Sequence, residues 1–391
     1  MIDVEDRTKC CGCSACSEVC PFDAILMETD SLGFIYPNVD KERCRNCGLC
    51  EKVCSLQGDY ESKAEFISPS FFAARHKDEN ELMNSRSGAL FLGLSDVVLS
   101  QKGSVYGAAF DSSFRVQHIR AITATERDCM RGSKYVQSDM TGIFPLVKND
   151  LEHSLPVLFS GTPCQIAALK SFLKYEKVDD TNLLYVDIIC HGVPAPNIWK
   201  DYLNYVEHKY KDTILAADFR DKKHHGWTAH LESFLLEKKG WISRKSFTYL
   251  FYRHIMFRPV CSECRYSNFK RPSDITLGDF WGWEQNVPDM NIDDKGVSLV
   301  LVNSTKGQMF INQLRDTYDL RAIENLSYIQ PNLKTPSVFD PKWKSFECDY
   351  SRKGFEYVLR KYGDAGVDYL VKRFCQKSKT ACRILRRKLG I

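Results

Sequence analysis

Eight cysteines near the start of this 391-residue chain form the same spacing twice. Cys10, Cys13, Cys16 and Cys20 read C-x2-C-x2-C-x3-C and are followed by Pro21; Cys44, Cys47, Cys50 and Cys54 repeat the run. Thiols packed this densely in a long chain point to metal ligation and not to disulfides. The geometry of a four-iron cube accounts for the spacing: its irons sit at tetrahedral corners, so three thiolates come from one tight loop and the fourth from a distance. Gly12 and Gly48 suit the curled backbone of such a loop. Zinc is the alternative, but zinc sites pair C-x2-C units across a longer gap. Cys11 is a surplus ninth thiol, read as a bystander, and Ser55 stands where the first run has proline.

The doubled run resembles that of bacterial ferredoxins. The resemblance implies two [4Fe–4S] clusters, with the fourth cysteine of each run crossing to the other cube. One set is then Cys10, Cys13, Cys16 and Cys54; the other is Cys44, Cys47, Cys50 and Cys20.

A hydrophobic content of 43% and a charged content of 27% are those of a soluble globular protein, with length enough for two or three domains. No stretch approaches the roughly 18 apolar residues of a membrane span. The acidic start from Met1 to Asp6 is not a signal peptide, so a cytoplasmic protein with reduced thiols is expected. The net charge of +4 hides an asymmetry, because eight Lys or Arg and no acids follow Tyr369, leaving −4 for the rest. With Leu370, Phe374, Ile384, Leu385 and Leu389 as its apolar set, this tail reads as a basic helix. It either packs on its own domain or makes peripheral contact with an anionic membrane or an acidic partner. No nucleic-acid partner is expected.

Residues 1–55 form the ferredoxin-type module, and residues 56–69 a polar linker. Residues 70–335 form a larger domain, and 336–391 a helical, basic C-terminal extension. Short apolar runs at 71–75, 104–110, 156–159, 183–189 and 297–302 read as strands, and 90–99, 140–151, 165–173 and 199–210 as helices. This alternation predicts an α/β domain with a mixed sheet behind the ferredoxin-like module.

Four further cysteines stand out. Cys164 lies in Ser160-Gly161-Thr162-Pro163-Cys164-Gln165, between a predicted strand and a helix, and Cys190 ends the next strand in Cys190-His191-Gly192. Cys261 and Cys264 form a C-x2-C ahead of Asp274-Ile275-Thr276-Leu277-Gly278-Asp279-Phe280-Trp281-Gly282. Spacing alone leaves open a third cube, a zinc site or buried free thiols. With Phe219-Arg220-Asp221-Lys222 and Gly226-Trp227, these segments resemble the coenzyme F420 hydrogenase/dehydrogenase beta-subunit family over essentially residues 1–285. The resemblance implies that Cys164, Cys190, Cys261 and Cys264 hold a third [4Fe–4S] cluster beside FAD.

Two more segments fit a flavin. In Ser85-Arg86-Ser87-Gly88-Ala89-Leu90 serines stand at the expected cap of a long helix, with Gly88 where backbone must approach a ligand; a helix N-terminus attracts phosphate. Gly132-Ser133-Lys134-Tyr135 is similar to the family's G-T-K-Y, which implies that Lys134 and Tyr135 adjoin the cofactor. The bland readings are an ordinary N-cap and a polar turn. Asp279 and Trp281 either line the flavin edge or pack the turn, and His191 is a proton-shuttle candidate beside Cys190. His191 and Lys134 are thus the catalytic candidates. The segment Lys222-Lys223-His224-His225 reads as a solvated loop, and Cys129, Cys348, Cys375 and Cys382 as bystanders. No G-x-G-x-x-G is present, so a Rossmann site is not supported.

Together these readings predict an iron–sulfur flavoprotein oxidoreductase, fed by ferredoxin or a partner subunit. Its substrate is a small molecule or a lipid- or sugar-linked intermediate, with surface polysaccharide assembly among the settings the family implies. The alternatives are an electron-transfer subunit with no substrate site of its own and a zinc-stabilised interaction module.

Overall fold

The computed structural model describes residues 1–57, 68–324, 329–366 and 369. Most of the linker, the basic tail, Cys375 and Cys382 lie outside the described residues.

The N-terminal module is a hairpin of β1 (Ile25–Thr29) and antiparallel β2 (Ile35–Val39), flanked by the short helices Ala15–Glu18 and Leu49–Val53. Each helix carries the third cysteine of its run. The two cysteine loops share one backbone pattern, because the residues two and four places after the first cysteine have positive φ in both. These are Gly12 and Ser14 in the first loop, and Asn46 and Gly48 in the second. Such left-handed residues turn successive N–H groups inward, toward the sulfurs.

Eleven strands follow among the described residues: β3 (Ser70–His76), β4 (Ser104–Phe110), β5 (Val116–Ala121), β6 (Val157–Gly161), β7 (Leu183–Ile188), β8 (Ile214–Asp218), β9 (Glu232–Leu236), β10 (Gly240–Arg244), β11 (Ile275–Asp279), β12 (Ser298–Val302) and β13 (Tyr318–Ala322). Eight form a mixed sheet in the order β13-β3-β12-β11-β7-β6-β4-β5. Its centre, β11-β7-β6-β4, is parallel, and the remaining pairs are antiparallel. The predicted strands and helices all appear, with boundaries moved by a few residues.

Strand alternation sends neighbouring residues to opposite faces. Val105, Leu158 and Leu184 pack with the helix Leu90–Ser100 on one face. Tyr106, Phe159 and Tyr185 pack on the other with the helices Ile143–Glu152 and Pro163–Glu176. That second core also takes in Ala15, Val19 and Val53 of the N-terminal module. Burying a side chain such as Val53 contributes about 1.5–3 kcal/mol, so the module is seated on the larger domain by apolar packing.

The antiparallel sheet β10-β9-β8 lies apart. It closes over an aromatic cluster around Trp199, Tyr202, Phe219 and Phe247, which the helices Trp343–Lys353 and Phe355–Tyr362 complete. Among the described residues no helix is long and apolar enough to cross a membrane.

Candidate cofactor-binding site

The two N-terminal cysteine sets line separate cavities. Cys10, Cys13, Cys16 and Cys54 share one of about 380 Å3. Cys20, Cys44, Cys47 and Cys50 share another of about 350 Å3. The fourth cysteine of each run thus lines the cavity of the other run's first three. Main-chain donors meet the sulfurs, with Gly12 N donating to Cys10 Sγ at 3.3 Å and Ile2 N to Cys50 Sγ at 3.2 Å. Among the described residues no three Cys, His, Asp or Glu side chains gather as a single bound ion requires; the thiols stand around cavities instead.

Cys164 lies in the first turn of the helix after β6, and Cys190 follows β7. Those strands are parallel neighbours, so both thiols emerge at carboxyl ends, where open α/β sheets bind ligands. Cys261 and Cys264 come from the 3-10 turn Pro259–Glu263 and its end. All four line one cavity of about 780 Å3, partly open to solvent.

Backbone N–H groups of Gly192, Val193 and Tyr266 donate to Cys190, Cys261 and Cys264. Burial, with the other thiols around it, drives Cys190 well above its ordinary pKa and pushes Cys261 up to about 12. Cys164, which accepts a hydrogen bond from Cys11, is lowered instead. Four thiols around one cavity ionise together only around a cationic core, so this donor set fits a third cluster.

Cys11 departs from its reading as a bystander. It is buried, lines both this cavity and that of Cys10, Cys13, Cys16 and Cys54, and is hydrogen-bonded to Cys13 and Cys164.

A larger compartment of about 1540 Å3 abuts the four-cysteine cavity, and the two share the wall Cys190, His191, Gly192 and Val193. Ser87, Gly132, Ser133, Lys134, Tyr135 and Asp279 all line it. Gly88 stays off its wall. A Cβ on Gly88 would collide with the Ala74 carbonyl, so the close approach that demands glycine is to β3. Nor do the serines cap the helix Leu90–Ser100, whose N-cap is Ala89 at φ 68°. Ser87 Oγ instead donates to Val297 O at 2.6 Å. Tyr135 meets Phe219 and Phe251 edge to face, with centroids 5.6 and 4.9 Å away.

Among the cations on its wall, Arg86 and Arg131 are paired with carboxylates, whereas Lys134 is held by carbonyls alone. Lys134 Nζ donates to the carbonyls of Cys129, Arg131 and Gly132. Lys222, expected in a solvated loop, is buried in a short helix, and its Nζ donates to the carbonyls of Leu82, Ser87 and Lys295. Burial and the nearby Arg86 bring both lysines down to about 7. Arg86 pairs with Asp218, yet its Nε is buried without a partner. His118 Nε2 lies 3.0 Å from Ser160 O, which leaves Nδ1 as a buried acceptor without a partner. Unmatched positive charge and orphaned polar atoms around an apolar-walled space fit an anionic, hydroxyl-bearing ligand such as FAD.

Asp279, at the carboxyl end of β11, is held by Arg220 and by Trp227 Nε1 at 3.0 Å, and Arg220 keeps it below the usual carboxylate range. The carboxylate is thus committed to structure while its residue lines the wall. His191 is pushed down to about 4, chiefly by burial, and is neutral at neutral pH. Arg86 and Arg220 stood in segments that the sequence had singled out, whereas His118 gave no sequence signal beyond its residue type.

Residues 156–325 match the family described as the C terminus of the coenzyme F420 hydrogenase/dehydrogenase beta subunit. Residues 9–57 match a 4Fe-4S dicluster domain. No curated protein matches the chain. Among solved structures it is similar to a chain of the F420-reducing [NiFe] hydrogenase complex from Methanosarcina barkeri, determined with xenon derivatization. Identity is 16% over 79% of this chain and 96% of that one, with a TM-score of 0.48. The chain thus carries a 4Fe-4S dicluster domain ahead of a segment that matches the C-terminal domain of the coenzyme F420 hydrogenase/dehydrogenase beta subunit.

Proposed function

We propose that the chain is an iron–sulfur flavoprotein oxidoreductase. In this reading ferredoxin or a partner subunit supplies electrons to the dicluster module, and Cys164, Cys190, Cys261 and Cys264 hold a third cluster beside FAD. The observation that carries it is the wall from Cys190 to Val193, common to the four-cysteine cavity and the cation-lined compartment. A flavin bound there would supply the conversion between single electrons and a hydride equivalent.

The chain's own residues supply the rest. Lys134 and Arg86, both on the compartment wall, offer the positive charge that a pyrophosphate needs, Gly132 and Ser133 line the same wall, and Lys222 stands behind it, bonded to the Ser87 carbonyl. His118 Nδ1 accepts a hydrogen bond from a ligand hydroxyl. The neutral imidazole of His191, at the junction of the two cavities, can take up and return a proton. Cys47 is exposed, which makes the Cys20/Cys44/Cys47/Cys50 end of the module the side that an electron donor approaches.

The test is anaerobic purification, iron and flavin analysis, and reduction by chemically reduced ferredoxin. About twelve irons and one FAD per chain are expected, with the flavin bleached by ferredoxin. About eight irons without flavin overturns the reading. Flavin reduction with no turnover of any offered substrate, sugar- or lipid-linked ones included, identifies an electron-transfer subunit.

A further inference from the structure

Arg258 is fully buried at the seam between the N-terminal module and the larger domain. Its backbone belongs to the four-cysteine site: its N–H donates to Val193 O at 3.0 Å, and its carbonyl accepts from Cys261 N at 3.0 Å. Its guanidinium reaches into the first cysteine loop. Nε donates to Cys10 O at 2.8 Å, Nη1 to Gln137 Oε1 at 3.0 Å, and Nη2 to Ile35 O at 2.7 Å and Cys10 Sγ at 3.4 Å.

The guanidinium lies 4.2 Å from the Tyr36 ring centroid, and a Cβ on Gly12 would strike Nη1. None of its acceptors is a carboxylate. This fixed positive charge is therefore offset by no direct ion partner, in surroundings that screen it poorly.

We propose that Arg258 is a positioning residue that sets the reduction potentials of two clusters together, those of Cys10/Cys13/Cys16/Cys54 and Cys164/Cys190/Cys261/Cys264. The inference rests on the three-cluster reading above. Adding an electron to a cluster adds negative charge, and a buried cation beside the ligating sulfurs stabilises the reduced form. Arg258 touches both sets: its guanidinium lies 3.4 Å from Cys10 Sγ, and the residue lines the cavity of Cys164, Cys190, Cys261 and Cys264. Arg258 does not line the Cys20/Cys44/Cys47/Cys50 cavity. By raising two neighbouring potentials and not the third, it makes transfer from the exposed cluster inward downhill.

The test is an anaerobic redox titration of the full chain, followed by electron paramagnetic resonance, with two variants. Arg258→Met removes the charge. Gln137→Glu keeps the side chain in place and sets a carboxylate against Nη1. In both, two of the three midpoints should fall while one stays, and Arg258→Lys should restore most of the loss. At about twelve irons per chain, three unmoved midpoints, or three that fall together, overturn the inference while leaving the three-cluster reading intact. About eight irons in the unmodified chain overturns both.

Discussion

The Thr162 hydroxyl lies 3.2 Å from the Cys164 sulfur, and both its N–H and its O–H donate to Gln165 Oε1, at 2.8 and 3.0 Å. Gln165 Nε2 in turn donates to Ser138 Oγ at 2.9 Å. One threonine thus starts the helix and fixes a proposed ligand. Thr162→Val keeps the shape and deletes the hydroxyl. The expected loss is about 1 kcal/mol of unfolding free energy, read by anaerobic urea denaturation; an unchanged midpoint would show that Gln165 holds the turn alone.

The crossed cysteine sets predict a crossed phenotype. Cys54→Ser should remove the cluster of the Cys10 cavity and spare that of the Cys44 cavity, and Cys20→Ser should do the reverse. Each costs about four irons. Resonance spectra of the two variants, compared with those of Cys13→Ser, separate this from uncrossed pairing, in which Cys20→Ser and Cys13→Ser would lose the same signal.

Lys134 and Lys222 give the FAD-free protein a distinctive pH response. Both fall from an ordinary 10.5 to about 7 in the fold. Between those values the unfolded chain holds more protons than the native one, so stability rises with pH across that window. Below about 7 both states are protonated, and the full penalty of burying the charge is present. FAD binding should show the opposite trend, tightest below pH 7 and weakening above it, because the pyrophosphate favours a charged Lys134 on the compartment wall. Fluorescence titrations from pH 6 to 9 should lose much of this slope in Lys134→Met.

Gly88 tests packing without chemistry. Alanine there forces β3 away from the turn before the helix Leu90–Ser100, at a cost of about 1–3 kcal/mol. A lowered melting temperature with unchanged iron content is the expected result.

The cysteine runs were legible because their ligand geometry is local; three of the four run cysteines that line one cavity lie between Cys10 and Cys16. The four downstream thiols were legible only as separate motifs, since Cys164 and Cys190 meet through the pairing of β6 with β7. The mixed sheet followed from its apolar strands, whereas β5, β8, β9, β10, β11 and β13 were missed; His118, Arg120, Arg244, Asp319 and Arg321 interrupt the apolar patterns of β5, β10 and β13. Lys222 looked like part of a charge run, and only tertiary structure buries it. Cys11 looked superfluous because nothing in its neighbourhood announces a second cavity behind it.

The two cysteine loops of the N-terminal module repeat each other down to their positive-φ positions, so neither half carries in itself any instruction about direction. Polarity comes from the surroundings. The first half is plugged into the larger domain through Ala15, Val19, Cys11 and Arg258, whereas the second, though it also reaches that domain through Val53, leaves Cys47 bare. The module behaves as a symmetric connector made one-way by its socket, and grafting it onto another domain would let the new host choose which end faces the donor.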